Sequence, residues 1–372
     1  ILTGSILNDQ ITLDSTVDSV RGGKGTDTAF FSGDFADYTY TTSQSFVTTV
    51  THTATNKAVS LHDVEEVSFN NVLYDLSNND LGEFRVNTHI GNSQLNSSVT
   101  YLNDGGFLVT WESYSHPLDS SQLGIFAQRY DINGNQSGVE FKVNTYTSHA
   151  QTNSHTTVLE NGDIVITWQS YAQDGSGDGV YAKRYNDQAQ SVYGSEFRVN
   201  TTTNSNQAEP KVTSISNGDF LTSWEGTDSY GAGIFAQRYS STGEKIGIEF
   251  QLNTVTDINQ KIQDIDALGD GGFVVTFQTD HLSQNNINDQ NIYAKIFTND
   301  ITGSTGGIAG DEFFVNTTVT GNQTKPAVTT LKNGNFVITW ESNDKDEGNV
   351  YAQIYSSIGI KIGTEFQVST YT

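Results

Sequence analysis

Six aspartates sit where oxygen chemistry is most easily read from the chain. Asp9, Asp14 and Asp18 lie in a turn-rich opening, Asp27 follows Gly22-Gly23-Lys24-Gly25-Thr26, and Asp174 and Asp178 flank a Gly-Ser-Gly turn. Glycines allow tight turns and close backbone approach, and an aspartate in such a turn presents a hard oxygen to Ca²⁺. These six are the candidate metal ligands and Ca²⁺ the candidate cofactor; a plain glycine turn at Asp27 and a flexible acidic loop at Asp174 are the alternatives. The histidines, His52, His62, His89, His116, His149, His155 and His281, share no recurring position, and no helical His-x-x-x-His spacing accompanies them, so they read as solvated loop residues. There is no Gly-x-Ser-x-Gly elbow and no phosphate loop. No acid, base or nucleophile can be seen to converge, so the expectation is a protein without catalytic residues.

The elements that must position these groups come from a repeat. The decapeptide Asn-Gly-Asn-Phe-Val-Ile-Thr-Trp-Glu-Ser at 333–342 has near-copies at 104–113, 161–170, 217–226 and 270–279, each placing a large aromatic (Trp111, Trp168, Trp224, Phe277, Trp340) at one offset from an Asn/Asp/Gly turn. A second motif comes about fifteen residues later, typified by Gly-Ile-Phe-Ala-Gln-Arg-Tyr at 124–130. A third, Glu-Phe-x-Val-Asn-Thr, starts at Glu83, Glu140, Glu196, Glu249 and Glu312, with a last variant at Glu365. An apolar segment preceded by glutamine (Gln94, Gln151, Gln207, Gln260, Gln323) completes four strands per unit. Successive Glu-Phe starts are 53 to 63 residues apart, which suits one small four-stranded sheet and predicts a propeller blade. The recurring Glu, Gln, Asn and Thr are read as satisfying backbone groups at blade corners, and Arg129, Arg184 and Arg238 as pairing with surface carboxylates. Five complete units leave the hexapeptide at Glu83 as a spare copy. Three readings of it are open: the N-terminal strands complete a sixth blade, a longer array has been cut, or the spare strand pairs with another molecule, giving head-to-tail assembly.

Composition narrows the partners. The 43 acidic against 18 basic residues give a formal charge of −25, which opposes nucleic acid and anionic membrane surfaces. Cysteine is absent, which removes disulfides and thiolate metal sites, and no apolar run reaches membrane-span length. Membrane insertion is therefore not expected. The chain starts at Ile1 and contains no methionine, so it reads as a processed piece or excerpt of a longer chain.

The segment at 22–30 resembles the Gly-Gly-x-Gly-x-Asp-x-apolar nonapeptide of calcium-binding β-rolls, and the β-rich stretch after it resembles the segment next to RTX blocks in proteins exported by type I secretion. The array as a whole resembles the Glu-Phe-x-Val-Asn-Thr repeats of large bacterial extracellular proteins of the RTX and adhesin type. The resemblance implies an extracellular, secreted or surface-attached location and a role in adhesion. The combined expectation is an all-β chain: an RTX-like β segment over 1–80, then a β-propeller of about five or six four-stranded blades over 81–372. Its expected role is a surface or matrix scaffold that binds glycans or proteins, or associates with itself, without catalysis. The other readings are a glycan-binding lectin propeller, using Tyr114, Tyr171 or Tyr230, and an enzyme module of propeller type.

Overall fold

The computed structural model describes residues 2–3, 10–13, 17, 19–21, 27–32, 37–42, 48–62, 64, 66–69, 72–75, 85–89, 91–132, 134–190, 194–215, 218–228, 231–254, 259–279, 290–298, 310–343 and 348–369. The chain forms two compact units, residues 1–85 and 86–372.

The first unit holds two sheets. One orders Leu2–Thr3, Ser19–Arg21, Lys57–His62, Thr48–His52 and Tyr38–Thr42; the other orders Gln10–Thr12, Thr28–Phe31, Glu66–Phe69 and Val72–Asp75. Pairing is parallel where the early strands meet, as in Thr28–Phe31 with Glu66–Phe69, and antiparallel in the hairpins. Val20, Ala29, Leu61, Val67 and Phe69 form its core.

The second unit is a β-propeller built from five four-stranded antiparallel sheets, one per repeat. Sheet 1 comprises Gln94–Tyr101, Phe107–His116, Asp119–Tyr130 and Phe141–Lys142. Sheet 2 comprises Gln151–Val158, Ile164–Tyr171, Asp178–Tyr185 and Phe197–Arg198. Sheet 3 comprises Ala208–Ser214, Phe220–Thr227, Ala232–Tyr239 and Lys245–Gln251. Sheet 4 comprises Gln260–Ala267, Phe273–Thr279, Asn291–Phe297 and Phe313–Phe314, and sheet 5 Gln323–Thr330, Phe336–Ser342, Asn349–Tyr355 and Lys361–Gln367. The bend between first and second strands is the Asn/Asp-Gly signal. Gly105, Gly162, Gly218, Gly271 and Gly334 all have φ between 73° and 90°, a conformation that favours glycine. Asp104 Oδ1 accepts from Gly106 N–H, and Asp270 Oδ1 from Gly272 N–H, each at 3.0 Å, closing the turn.

Each sheet packs on the next, so the second strands of sheets 2 to 4 are buried on both faces and read as nearly continuous apolar runs, as in Ile164–Trp168. Between sheets 1 and 2 the core joins Leu102, Leu108, Ile125 and Val143 to Ile164, Trp168 and Tyr185; equivalent residues meet at the next three junctions. The recurring polar residues lace the repeats together. Asn144, Asn200, Asn253 and Asn316 accept through Oδ1 from the third-strand N–H groups of Ile125, Val180, Ile234 and Ile292 at 2.7–2.8 Å. Glu140, Glu196, Glu249, Glu312 and Glu365 accept from N–H groups of Thr88, Thr145, Thr201, Thr254 and Thr317, one repeat earlier. The arginine reading needs correction: Arg129, Arg184 and Arg238 do pair with Asp104, Asp163 and Asp219, but their side chains are buried, not on the surface.

Candidate functional site

The first strand of every repeat carries a β-bulge. In four of them the residue there has positive φ: Asn96 (49°), Asn153 (55°), Glu209 (52°) and Lys325 (51°). Bulges aim side chains out of the regular pleat and are common beside active sites. Opposite the bulge in sheets 1, 2, 3 and 5, on the second strand, lies the residue after the core aromatic, Glu112, Gln169, Glu225 or Glu341; in sheet 4 that residue, Gln278, pairs with Lys261 just before the bulge.

These two positions form an inter-sheet clip. Glu112 Oε1 accepts from Asn153 N–H at 2.8 Å, Gln169 Oε1 from Glu209 N–H at 3.1 Å, and Gln278 Oε1 from Lys325 N–H at 3.3 Å. Glu225 accepts from Ile262 N–H in the same way. The clip needs only an acceptor, and in two of the four cases a neutral glutamine supplies it.

Sheet 3 departs from that economy. Glu225 stands opposite Ala208, immediately before Glu209 in the bulge, so two carboxyl groups share one corner. Burial, then the charge of Glu209, pushes the Glu225 carboxyl up to about 7, while Lys261, Lys211 and the Ile262 N–H pull the other way. Asn153 Nδ2 donates to Glu209 Oε1 at 2.7 Å and to Gln169 Oε1 at 3.0 Å, fixing the Glu209 side chain from the neighbouring sheet. His155 lies beside Lys211; burial and that lysine hold its imidazole down at about 4, and its Nδ1 accepts from Val212 N–H at 3.3 Å. On the far side Asp264 is raised by burial and accepts from Val328 N–H at 2.9 Å. A carboxyl that keeps its proton near neutrality beside a second carboxyl is the equipment of acid/base chemistry. Sequence reasoning missed this pair. The two residues are separated along the chain and brought together by a bulge, and the signal available was that Glu209 replaces asparagine or lysine at the bulge position.

The sequence-predicted ligands are scattered. Asp9, Asp14 and Asp18 lie outside the described residues, and Asp27 is fully buried just before Thr28–Phe31 in the first unit. Asp174 and Asp178 do meet: the Asp178 carboxyl is raised by burial and by Asp174. Asp174 Oδ1 accepts from Ser176 N–H at 3.1 Å. The equivalent Asp119 and Asp228 hold Asn144 and Gln251, so this loop aspartate is a recurring brace over the glycine that opens the third strand. Two carboxylates supply only part of the about six to eight oxygens that Ca²⁺ takes, and no group of three or more His, Cys, Asp or Glu able to hold a metal occurs among the described residues. The histidine reading also changes. His116 is buried and hydrogen-bonds Glu140 at 2.9 Å, and His155 belongs to the sheet 3 corner.

No protein-family model and no curated protein matches the chain. Among solved structures, an α-L-arabinanase of Penicillium chrysogenum complexed with arabinobiose aligns with a TM-score of 0.51 at 14% identity, over 74% of this chain and 80% of that one. A mutant of the NanB sialidase from Streptococcus pneumoniae aligns at 0.49 and 8% identity, over 88% of this chain and 75% of that one. A Hadza microbial sialidase aligns at 0.48 and 9%, over 88% and 67%. The arabinanase likeness is one of fold. It turns against the expectation of a non-catalytic surface or matrix scaffold, because the protein that shares the fold is an arabinanase, and sheet 3 holds a carboxyl pair that the repeat itself does not require.

Proposed function

We propose that the chain is a carbohydrate-active propeller that cleaves glycosidic bonds, with Glu225 as the acid and Glu209 as its partner carboxylate. The observation that carries this reading is the placement of two carboxyl groups at one bulge of sheet 3, where the corresponding clips of sheets 2 and 4 use glutamine. The proton held by Glu225 would pass to the glycosidic oxygen as the bond to the anomeric carbon breaks, while Glu209 takes a proton from the water whose oxygen bonds to that carbon. Burial and Glu209 raise the Glu225 carboxyl against the opposing pull of Lys261 and Lys211, and Asn153 orients Glu209. The fold shared with an arabinanase supports a glycan substrate. The test is reducing-sugar release from a panel of plant, bacterial and sialylated glycans by the purified chain. Release that disappears in Glu225→Gln supports the reading; activity on no glycan, or equal activity in the variant, contradicts it.

A second reading, glycan binding without cleavage, has its own observation. Tyr114 and Tyr171 are exposed on equivalent strand ends, three residues beyond Trp111 and Trp168, and offer flat apolar faces to sugar rings. Tyr171 also packs edge-on against His149, with centroids 5.6 Å apart. Tyr230 lies outside the described residues. Glycan-array binding that persists in Glu225→Gln but falls in Tyr171→Ala would favour this reading.

A further inference from the structure

Each junction in the array joins one set of apolar residues on the leading face of a sheet to the trailing face of the next. The residue of that leading set that follows the fourth strand, Val143, Val199, Leu252 or Val315, is 0% exposed in sheets 1 to 4, whereas its counterpart Val368 in sheet 5 is 48% exposed. Val350 obeys the same rule: Ile125, Val180, Ile234 and Ile292 are fully buried and Val350 is 36% exposed. Phe366, beside it, is exposed too. On sheet 1 the trailing side shows the complementary defect. Val99 is 67% exposed, although Thr156, Val212, Ile265 and Val328, at the same position in sheets 2 to 5, are buried against the preceding sheet.

The trailing side of sheet 1 nevertheless holds one piece of a preceding repeat. The Tyr130 hydroxyl donates to the Val86 carbonyl at 3.2 Å, just as Tyr185, Tyr239 and Tyr355 donate to Val143, Val199 and Val315 at 3.0–3.3 Å. Thr88 N–H donates to Glu140 as Thr145 does to Glu196. Residues 86–88 therefore make the contacts of a fourth-strand tail belonging to the repeat before sheet 1. A second copy of the whole chain, docked through its own sheet 5, would bring Lys361–Gln367 into the place that this tail already holds.

We infer that the leading face of sheet 5 and the open part of sheet 1 receive the first three strands of one further repeat of the same sequence pattern, whose fourth-strand tail is the segment at 86–88. The occupant is defined by the four junctions already formed. It presents a valine or isoleucine from its first strand and an aromatic from its second to Val350 and Val368, and a third-strand tyrosine hydroxyl to the Val368 carbonyl.

The experiment supplies that unit. Appending a second copy of residues 320–355 directly after Thr372 preserves the spacing that separates Val315 from Gln323. The extended chain and the parent are compared by thermal unfolding, by fluorescence of an apolar-surface dye, and by light scattering. The expected result is a higher thermal midpoint, less dye bound and a monomeric particle. Because Val368 is exposed in the parent, Val368→Asp should leave the parent's midpoint nearly unchanged and abolish the gain in the extended chain. An extended chain with the parent's midpoint and dye binding overturns the inference. So does a gain that survives Val368→Asp, or a parent that already covers these faces by reversible self-association.

Discussion

Sheets 2 and 3 build the same corner from different chemistry. In sheet 2 the bulge residue is Asn153 and the clip residue Gln169, both neutral: Asn153 Nδ2 donates to Gln169 Oε1, which also accepts from Glu209 N–H, and Asn153 N–H donates to Glu112. In sheet 3 the same two positions are Glu209 and Glu225, and a carboxyl is left titrating near neutrality in a partly buried site. The backbone geometry of the two corners matches, so the repeat does not demand the acids. A feature that strains one corner of a repeat, while its neighbour shows a relaxed solution, marks that corner as adapted for something beyond folding.

The largest expected break in this comparison is catalytic. Converting sheet 3 to the sheet 2 solution with Glu225→Gln keeps the acceptor for Ile262 N–H but removes the proton donor, and glycan hydrolysis should fall by roughly 10²–10⁴-fold with the near-UV circular dichroism unchanged. The same substitution should also alter stability. A carboxyl whose folded pKa is raised contributes most favourably below its unfolded pKa, and that contribution is lost as pH rises toward about 7. Chemical denaturation above neutral pH should therefore find Glu225→Gln more stable than the parent, by on the order of 1–3 kcal/mol, and the difference should vanish near pH ~4. The reverse exchange, Gln169→Glu, places a new carboxylate against Glu209 and should destabilise the parent by about 1 kcal/mol at neutral pH, with recovery on acidification. The smallest effect is at the exposed aromatics. Tyr171→Ala should change stability by less than about 0.5 kcal/mol while weakening retention on immobilised glycans.

The scaffold is more legible in the sequence than its active corner. Turn glycines and core tryptophans recur at fixed offsets, so the strand order, the doubly buried second strands and the propeller can be read from period and pattern. Even compensation is visible there. In sheet 4, Phe297 takes the place of the tyrosine, and the Leu252 carbonyl still has Lys295 as a donor at 3.0 Å, the position from which Lys183 joins Tyr185 on the Val143 carbonyl in sheet 2. The Glu209 and Glu225 pair is hidden because a bulge, which the repeat alignment does not show, brings it together. In the sequence, charge at a recurring polar position looks interchangeable with glutamine. His155 reads there as a loop residue because it comes soon after His149, yet it lies within a first strand and accepts from Val212 N–H across the junction.

The functional reading needs Glu225, buried beside Glu209, to hold its proton near neutral pH. Its most direct test is an NMR titration of the chain carrying ¹³C-labelled glutamate carboxyls, repeated on Glu225→Gln and Glu209→Gln. A resonance titrating near 7 that vanishes in Glu225→Gln and moves to lower pH in Glu209→Gln is the expected result; a parent in which every glutamate titrates in the ordinary carboxylate range would contradict the account.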